Sequence, residues 1–120
     1  MIRFPADNRA KYGARKTEID GITFASRREA SRYCELKTLE RAGKITNLQL
    51  QRKYTLIGSQ RDAEGKVIER PVTYVADFVY KDANGVTVVE DTKSPATRTP
   101  QYVIKRKLML SIYGIRVKEV

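Results

Sequence analysis

The sequence contains no histidine and only one cysteine, Cys34. Without histidine, the chain cannot form the Ser-His-Asp, Cys-His or HNH-type arrangements of many hydrolases, or a zinc site built on imidazole. A single cysteine excludes an internal disulfide and a cysteine-based zinc cluster. Any chemistry must therefore come from carboxylates, lysines, arginines, tyrosines or hydroxyl groups.

Long apolar runs are also missing. The uninterrupted apolar stretches are only a few residues long, which is too short for a membrane-spanning helix. The N-terminus, MIRFPADNRAKYG, lacks the apolar core that is typical of a signal peptide. These absences predict a cytoplasmic protein, and a length of 120 residues suits one domain.

Positive charge is what the chain has in excess. Lysine and arginine number 24 against 14 aspartates and glutamates, which gives a net charge of +10. A balance this basic in a short chain favours a polyanionic partner, usually nucleic acid. An anionic membrane surface is the alternative, but no strongly amphipathic basic helix supports it.

The spacing of apolar residues and turn signals predicts a mixed α/β domain over residues 17–120, preceded by a basic arm over residues 1–16. Ile104, Leu108 and Ile112, at spacings of four, indicate the second of two helices. Residues 58–70 are expected to form an exposed loop or a weak hairpin. In chain order we expect a hairpin at 17–24, a helix at 26–42, strands at 47–57, 72–80 and 86–93, a helix at 100–113 and a strand at 115–120.

Two aspartates stand in the central pair of strands. Because side chains alternate along a strand, Asp91 and Lys93 share one face and Glu90 points to the other. A three-residue loop, 83–85, would place Asp77 directly opposite Asp91, whereas a two-residue Asn-Gly turn would put them on opposite faces. We favour the three-residue loop because it gathers two carboxylates and one amine at one point.

Two facing aspartates repel each other, and a divalent cation between them removes the repulsion. Oxygen ligands combined with water suit Mg²⁺ or Mn²⁺. Such an ion polarises a phosphodiester and lowers the pKa of its water, while a nearby lysine stabilises the developing negative charge. The alternative is that Asp77 and Asp91 are ordinary exposed strand residues, since D-x-K often occurs by chance.

Glu29 is a third candidate acid. It lies three residues after Ser26, so it suits the partner position of a capping box. It also shares a helix stripe with Tyr33 and Leu36, which should face the sheet. Glu29 is therefore either a helix cap or a further carboxylate of the site.

Two further groups of residues are candidates for nucleic-acid contact. Lys105, Arg106 and Lys107 form a basic run on the second helix, and they either are solvated or contact phosphates. Gln51, with Gln49, follows the first helix, and it either covers a sheet edge or touches the site.

This arrangement resembles the PD-(D/E)XK nuclease superfamily, which has a helix acid, a strand aspartate, (D/E)-x-K on the next strand, a helix and a further strand. The segments FASRREASRYCEL, NLQLQRKYTL, YVADFVY and VVEDTKS also look like those of a group of small phage and prophage proteins assigned to this superfamily. Ala76 stands where many members have proline. The matching elements here are Glu29 in FASRREA, Asp77 in VADF, Asp91 to Lys93 in VVEDTKS, the helix from Pro100, and IRVKEV.

The resemblance implies a single restriction-endonuclease-like domain, with a mixed central sheet flanked by two helices. It implies an Mg²⁺- or Mn²⁺-dependent deoxyribonuclease, more typically an endonuclease, with Asp77, Asp91 and Glu29 as metal ligands and Lys93 as a catalytic residue. By analogy, proteins of this size are often recombination or Holliday-junction-resolving endonucleases, acting in the host cytoplasm when they are encoded by phage.

Such an enzyme would act on branched DNA as a homodimer, because one metal site cuts one strand. The alternatives are a non-catalytic nucleic-acid-binding protein on the same fold and a small basic RNA-binding protein. The sequence does not distinguish DNA from RNA.

Overall fold

The computed structural model describes residues 16–120, so the predicted basic arm lies outside the described residues apart from Lys16. The described chain is a mixed α/β protein with two helices and a mixed four-stranded sheet, as predicted at this level. It divides into two compact units, of which the first ends at Ile45 and the second is Thr46–Val120. Within residues 16–120, no helix combines the length and the apolar character needed to cross a membrane.

The first unit contains a β-hairpin and a helix. Strands β1 (Thr17–Ile19) and β2 (Ile22–Phe24) pair in antiparallel fashion, and helix α1 follows at Arg27–Arg41. The side chain of Ser26 caps α1 by accepting a hydrogen bond from the Glu29 backbone N–H at 3.1 Å. The predicted hairpin, helix and N-cap are therefore confirmed.

One side of α1 is buried. Glu29, Ala30, Tyr33 and Leu36 are its buried residues, and the ring centroids of Tyr33 and Phe24 lie 5.0 Å apart. The predicted stripe of Glu29, Tyr33 and Leu36 is thus the inward side of the helix. Glu29 therefore takes part in the N-cap contact and also belongs to the buried side of α1.

The second unit contains the four-stranded sheet. The order across the sheet is β3-β6-β7-β8, antiparallel except for the parallel pair β7 and β8, which α2 connects. Strands β4 and β5 form a separate hairpin within the segment for which the sequence allowed a loop or a weak hairpin. The elements are β3 (Thr46–Ile57), β4 (Gln60–Arg61), β5 (Val67–Glu69), β6 (Val72–Lys81), β7 (Thr87–Asp91), α2 (Pro100–Tyr113) and β8 (Lys118–Glu119).

Helix α2 has the predicted bounds but a different buried side. Thr99 is its N-cap and Gly114, with a φ of 68°, ends it in the left-handed conformation. Ile104 and Ile112, whose spacing predicted the helix, are 59% and 48% exposed. The helix is instead buried through Tyr102 and Met109, seven residues and about two turns apart. These two join the core formed by Tyr54, Leu56, Tyr74, Ala76, Val79, Val89 and Val117.

Candidate active site

The loop between β6 and β7 fixes the position of the two aspartates. The Asp82 N–H donates to the Val86 carbonyl at 2.9 Å, which leaves a loop of three residues, 83–85. Gly85 has a φ of 77°, the left-handed conformation that such a loop requires at this position. The strand register pairs Phe78 with Glu90, so the preceding Asp77 lies opposite Asp91. The predicted three-residue loop and the facing aspartates are confirmed.

The sheet is irregular at Asp77. Tyr74 and Ala76 of β6 belong to the same core cluster as Val79, although Val79 should face the other way by strict alternation, and the buried Phe78 and Tyr80 lie outside that cluster. The alternation of faces is therefore interrupted between Ala76 and Val79. Across the sheet on β3, Gln51 has a φ of 52°, which is uncommon for a residue other than glycine. Strained backbone of this kind is concentrated at functional sites. The Gln51 side-chain amide donates to Asp77 Oδ1 at 3.2 Å, so the predicted nucleic-acid contact lies against a candidate metal ligand.

The Asp77 carboxylate is oriented through both of its oxygens. Besides the bond from Gln51 to Oδ1, Oδ2 accepts from the Thr92 backbone N–H at 2.9 Å and from the Thr92 hydroxyl at 2.7 Å. Thr92 occupies the middle of the D-x-K segment, a position to which the sequence pattern gives no role. Its two bonds fix the Asp77 side chain beside Asp91.

Asp91 is almost inaccessible, with 3% of its surface exposed. Its Oδ2 accepts a hydrogen bond from the Tyr74 hydroxyl at 2.8 Å and lies 3.5 Å from the Lys93 Nζ. Burial, followed by the neighbouring Asp77 carboxylate, raises the pKa of Asp91 to about 7, although Lys93 and Tyr74 act in the opposite direction. The positive charge of Lys93 therefore does not balance the negative charges of Asp77 and Asp91, and a further cation bound beside them would stabilise their ionised forms.

Lys93 is held by an aromatic ring. Its Nζ lies 4.3 Å from the centroid of the Tyr102 ring. The Tyr102 hydroxyl donates to Glu119 at 2.7 Å, and Glu119 also contacts Arg98 at 2.7 Å and Arg106 at 2.9 Å. The hydrogen bonds from Arg98 and Tyr102 hold the pKa of Glu119 at about 2, so it stays anionic. This network fixes the ring beneath the lysine amine.

These side chains surround an open cleft of about 360 Å³. The predicted basic run does not form one surface around it. Lys105 lines this cleft, Arg106 is paired with Glu119, and Lys107 lines a different cleft. Successive residues of a helix point in directions about 100° apart, which is why the run is divided. The carboxylate cleft is lined by Asp77, Asp91, Lys93, Tyr74, Tyr102 and Lys105.

Glu90 and Glu29, the two further acids considered in the sequence, each have their own hydrogen-bond partner. Glu90 is fully buried and accepts a hydrogen bond from the Tyr80 hydroxyl, in agreement with its predicted position away from Asp91. Glu29 is 5% exposed, and its carboxylate accepts from the Ala25 backbone N–H at 3.3 Å. Glu29 thus accepts a backbone hydrogen bond just before the helix, but from Ala25 and not from the N-cap residue Ser26, as a capping box requires. The assignment of Glu29 as a metal ligand stays a prediction.

The donor set suits a hard divalent cation that keeps most of its water. No group of three or more His, Cys, Asp or Glu side chains forms a metal-binding cluster within residues 16–120. Mg²⁺ commonly binds one or two carboxylates and completes its shell with water and phosphate oxygens. Asp77 and Asp91 supply that number of carboxylates, and the cleft beside them is open.

Sequence patterns missed four residues of this site. Regular alternation places Tyr74 on the face opposite Asp77, so only the irregularity of β6 brings its hydroxyl to Asp91. The role of Tyr102 as the support of Lys93 depends on the packing of α2. The other two are Thr92 and Glu119. The one available signal was that Glu119 is the only acid in the final segment, IRVKEV.

The fold and the site define a small mixed α/β protein with a pair of opposed carboxylates and a lysine in one cleft. The chain matches the family described as "Protein of unknown function (DUF1064)" over residues 9–118, and it belongs to that family. Neither the curated proteins nor the solved structures gave a match.

Proposed function

We propose that this protein is a nuclease that hydrolyses DNA phosphodiester bonds with Mg²⁺ or Mn²⁺ held by Asp77 and Asp91. The observation that carries the proposal is the direct opposition of these carboxylates in a cleft that also contains the Lys93 amine. Two acids placed together at the cost of repulsion are explained by a cation that binds between them. The net charge of +10 and Lys105 at the cleft favour a phosphate-rich substrate.

Each side chain of the site has a role in this chemistry. When bound, the cation polarises a phosphodiester and lowers the pKa of a water molecule. Thr92 and Gln51 hold Asp77 in one orientation, and Tyr74 does the same for Asp91. The Lys93 amine, supported by Tyr102, would orient the attacking water and stabilise negative charge on the phosphate.

The finer parts of the proposal rest on the resemblance to PD-(D/E)XK nucleases. Glu29 is then a third metal ligand, and the enzyme is an endonuclease that acts in recombination or resolves Holliday junctions. Lys105 contacts a phosphate next to the one that is cut. Gln51 acts by orienting Asp77, which departs from its predicted role in binding nucleic acid.

The test is cleavage of linear, nicked and four-way DNA in the presence of Mg²⁺ or Mn²⁺. Asp91→Asn should reduce cleavage by at least about a hundredfold and leave DNA binding intact or slightly tighter, because it removes a ligand and a negative charge. Lys93→Ala should also lose most of the activity, and Glu29→Gln should have a milder effect. Glu64→Gln, which changes an exposed acid in the β4–β5 turn, is the matched control. Cleavage by Asp91→Asn at the wild-type rate would place the metal site elsewhere.

One observation favours a non-catalytic nucleic-acid-binding protein as the second candidate. Both Asp77 oxygens already accept hydrogen bonds from protein groups, Oδ1 from Gln51 and Oδ2 from Thr92. DNA binding without cleavage under either metal, on any of the three substrates, would support this candidate.

A further inference from the structure

A second cleft lies along α2 and β8, at the edge of the four-stranded sheet. Its volume is about 580 Å³. We call it the basic cleft, because four of its lining side chains are cations and one is an acid. The cations are Arg106 and Lys107 from α2 and Arg116 and Lys118 from the final segment, and the acid is Glu119.

Most of the positive charge in the basic cleft is uncompensated. Lys107, Arg116 and Lys118 are exposed, and none of them forms an ion pair within residues 16–120. Glu119 does not balance them, since its two carboxylate oxygens already contact Arg98 and Arg106. Three unpaired cations held beside one another repel, and a polyanion is the ligand that removes this repulsion.

The basic cleft and the carboxylate cleft flank the same elements. Tyr102 lines the carboxylate cleft, and its hydroxyl donates a hydrogen bond to Glu119, which lines the basic cleft. Glu119 in β8 is the register partner of Asp91 in β7, and adjacent strands lie about 4.8 Å apart. The two clefts therefore meet at the contact between Tyr102 and Glu119, and a nucleic-acid backbone bound in one would lie next to the other.

We propose that the basic cleft is a second phosphate-binding site, which holds the nucleic-acid backbone beyond the phosphodiester in the carboxylate cleft. The inference rests on the proposed function in that the partner is a nucleic acid. The Arg116 guanidinium offers paired donors for phosphate oxygens, and Lys107 and Lys118 act as point charges. Contacts of this kind position a nucleic acid without selecting its sequence.

The proposal is tested by binding alone. Fluorescence anisotropy with a labelled DNA duplex, in EDTA and over a series of salt concentrations, gives the slope of log affinity against log salt. Each lost phosphate contact should flatten this slope by about 0.9. We compare the wild type with a cleft variant and with a control variant that removes three exposed lysines elsewhere. The cleft variant carries Lys107→Gln, Arg116→Gln and Lys118→Gln, and the control carries Lys44→Gln, Lys66→Gln and Lys81→Gln.

The cleft variant should bind roughly tenfold or more weakly at moderate salt, with a slope flatter by about 2–3. The control should change both quantities much less. Equal effects of the two variants, or an unchanged slope in the cleft variant, would show an ordinary solvated surface and overturn the inference. Circular dichroism of both variants should match the wild type, since all six side chains are exposed.

The same measurements separate this inference from the proposed enzymatic function. If the wild type binds DNA with the expected slopes but no metal supports cleavage, the nuclease proposal fails and the second phosphate site stands. If the wild type cleaves DNA but the cleft variant binds as the wild type does, only the second site is rejected. If the wild type binds no nucleic acid, both are rejected.

Discussion

Asp91 is the residue on which the candidate site depends most. It is nearly inaccessible, it lies opposite another carboxylate, and the Lys93 amine lies 3.5 Å from its Oδ2. Burial and Asp77 raise its pKa from an ordinary value of 3.8 to about 7. A group with this environment lowers the stability of the fold whenever it is ionised, and the proposed cation would offset this cost.

The pH dependence of stability follows from the direction of this change. Well below pH 4, Asp91 is protonated in both the folded and the unfolded state, so its ionisation does not affect the free energy of unfolding. As the pH rises from about 4 to 7 the unfolded state ionises first, and the folded state loses up to about 4 kcal/mol relative to it. Asp91→Asn should therefore stabilise the protein above pH 7 by about 1–4 kcal/mol and have little effect near pH 4.

Chemical denaturation across this pH range measures the effect. Glu64→Gln should show no comparable change, because the exposed Glu64 is not in the site. Millimolar Mg²⁺ should raise the melting temperature of the wild type near pH 7 and not that of Asp91→Asn. A metal effect of equal size in both proteins would mean that the cation binds elsewhere.

At the scale of the elements, the β6–β7 hairpin and α2 build the site together. The hairpin loop sets the register that opposes Asp77 and Asp91, and α2 supplies Tyr102 and Lys105 to the same cleft. The parallel strand β8 then brings Glu119 to the Tyr102 hydroxyl. Each of these elements therefore contributes contacts that hold the candidate site together.

Gly85 is the position at which the hairpin loop is most sensitive. Its φ of 77° disfavours any residue with a β-carbon, while no atom lies within 4 Å of where that carbon would stand. Gly85→Ala should therefore destabilise the protein by about 1 kcal/mol through backbone strain alone. Gly58→Ala is the matched control, because Gly58 also has open space and lacks a positive φ.

Equilibrium denaturation with urea measures both variants. Gly58→Ala should be neutral or slightly stabilising, since it reduces the conformational freedom of the unfolded chain. Equal stabilities of the two variants would contradict the role assigned to the left-handed conformation in the loop.

At the scale of the whole molecule, the net charge and the candidate carboxylate site bear on the proposed DNA substrate. The chain carries a net charge of +10, and Asp77 and Asp91 form the candidate carboxylate pair found within residues 16–120. If the proposed nuclease site cuts one strand, coordinated cleavage of two strands would need two chains. No helix-turn-helix or zinc module is evident in the sequence, which favours recognition of DNA shape over base sequence.

We therefore predict a homodimer that cleaves four-way DNA faster than linear duplex. The β4–β5 hairpin, with the exposed residues of segment 58–70, is a candidate contact for the duplex arms. Light scattering gives the oligomeric state, and parallel cleavage of both substrates gives the preference. A monomer that degrades linear DNA as fast as junctions would reject junction resolution and leave a general nuclease.

The sequence by itself determined those features that depend on neighbouring residues. Ser26, Thr99 and Gly114 mark helix ends because caps satisfy or accommodate the backbone within one turn. The turn around Gly85 was predicted in the same way, but the sequence allowed two or three loop residues, and only the structure fixed the register that opposes Asp77 and Asp91.

Only the tertiary structure decided which side chains meet across elements. The interrupted alternation of side chains near Asp77 brings Tyr74 and Gln51 to the carboxylates, and no local sequence pattern predicts this interruption. The buried side of α2 is decided by how Tyr102 and Met109 fill the space over the sheet, which leaves Ile104 exposed. That same rotation of the helix divides the basic run, with Lys105 beside the carboxylates and Lys107 in the basic cleft, because the direction of each side chain follows from packing and not from its place in a run of charges.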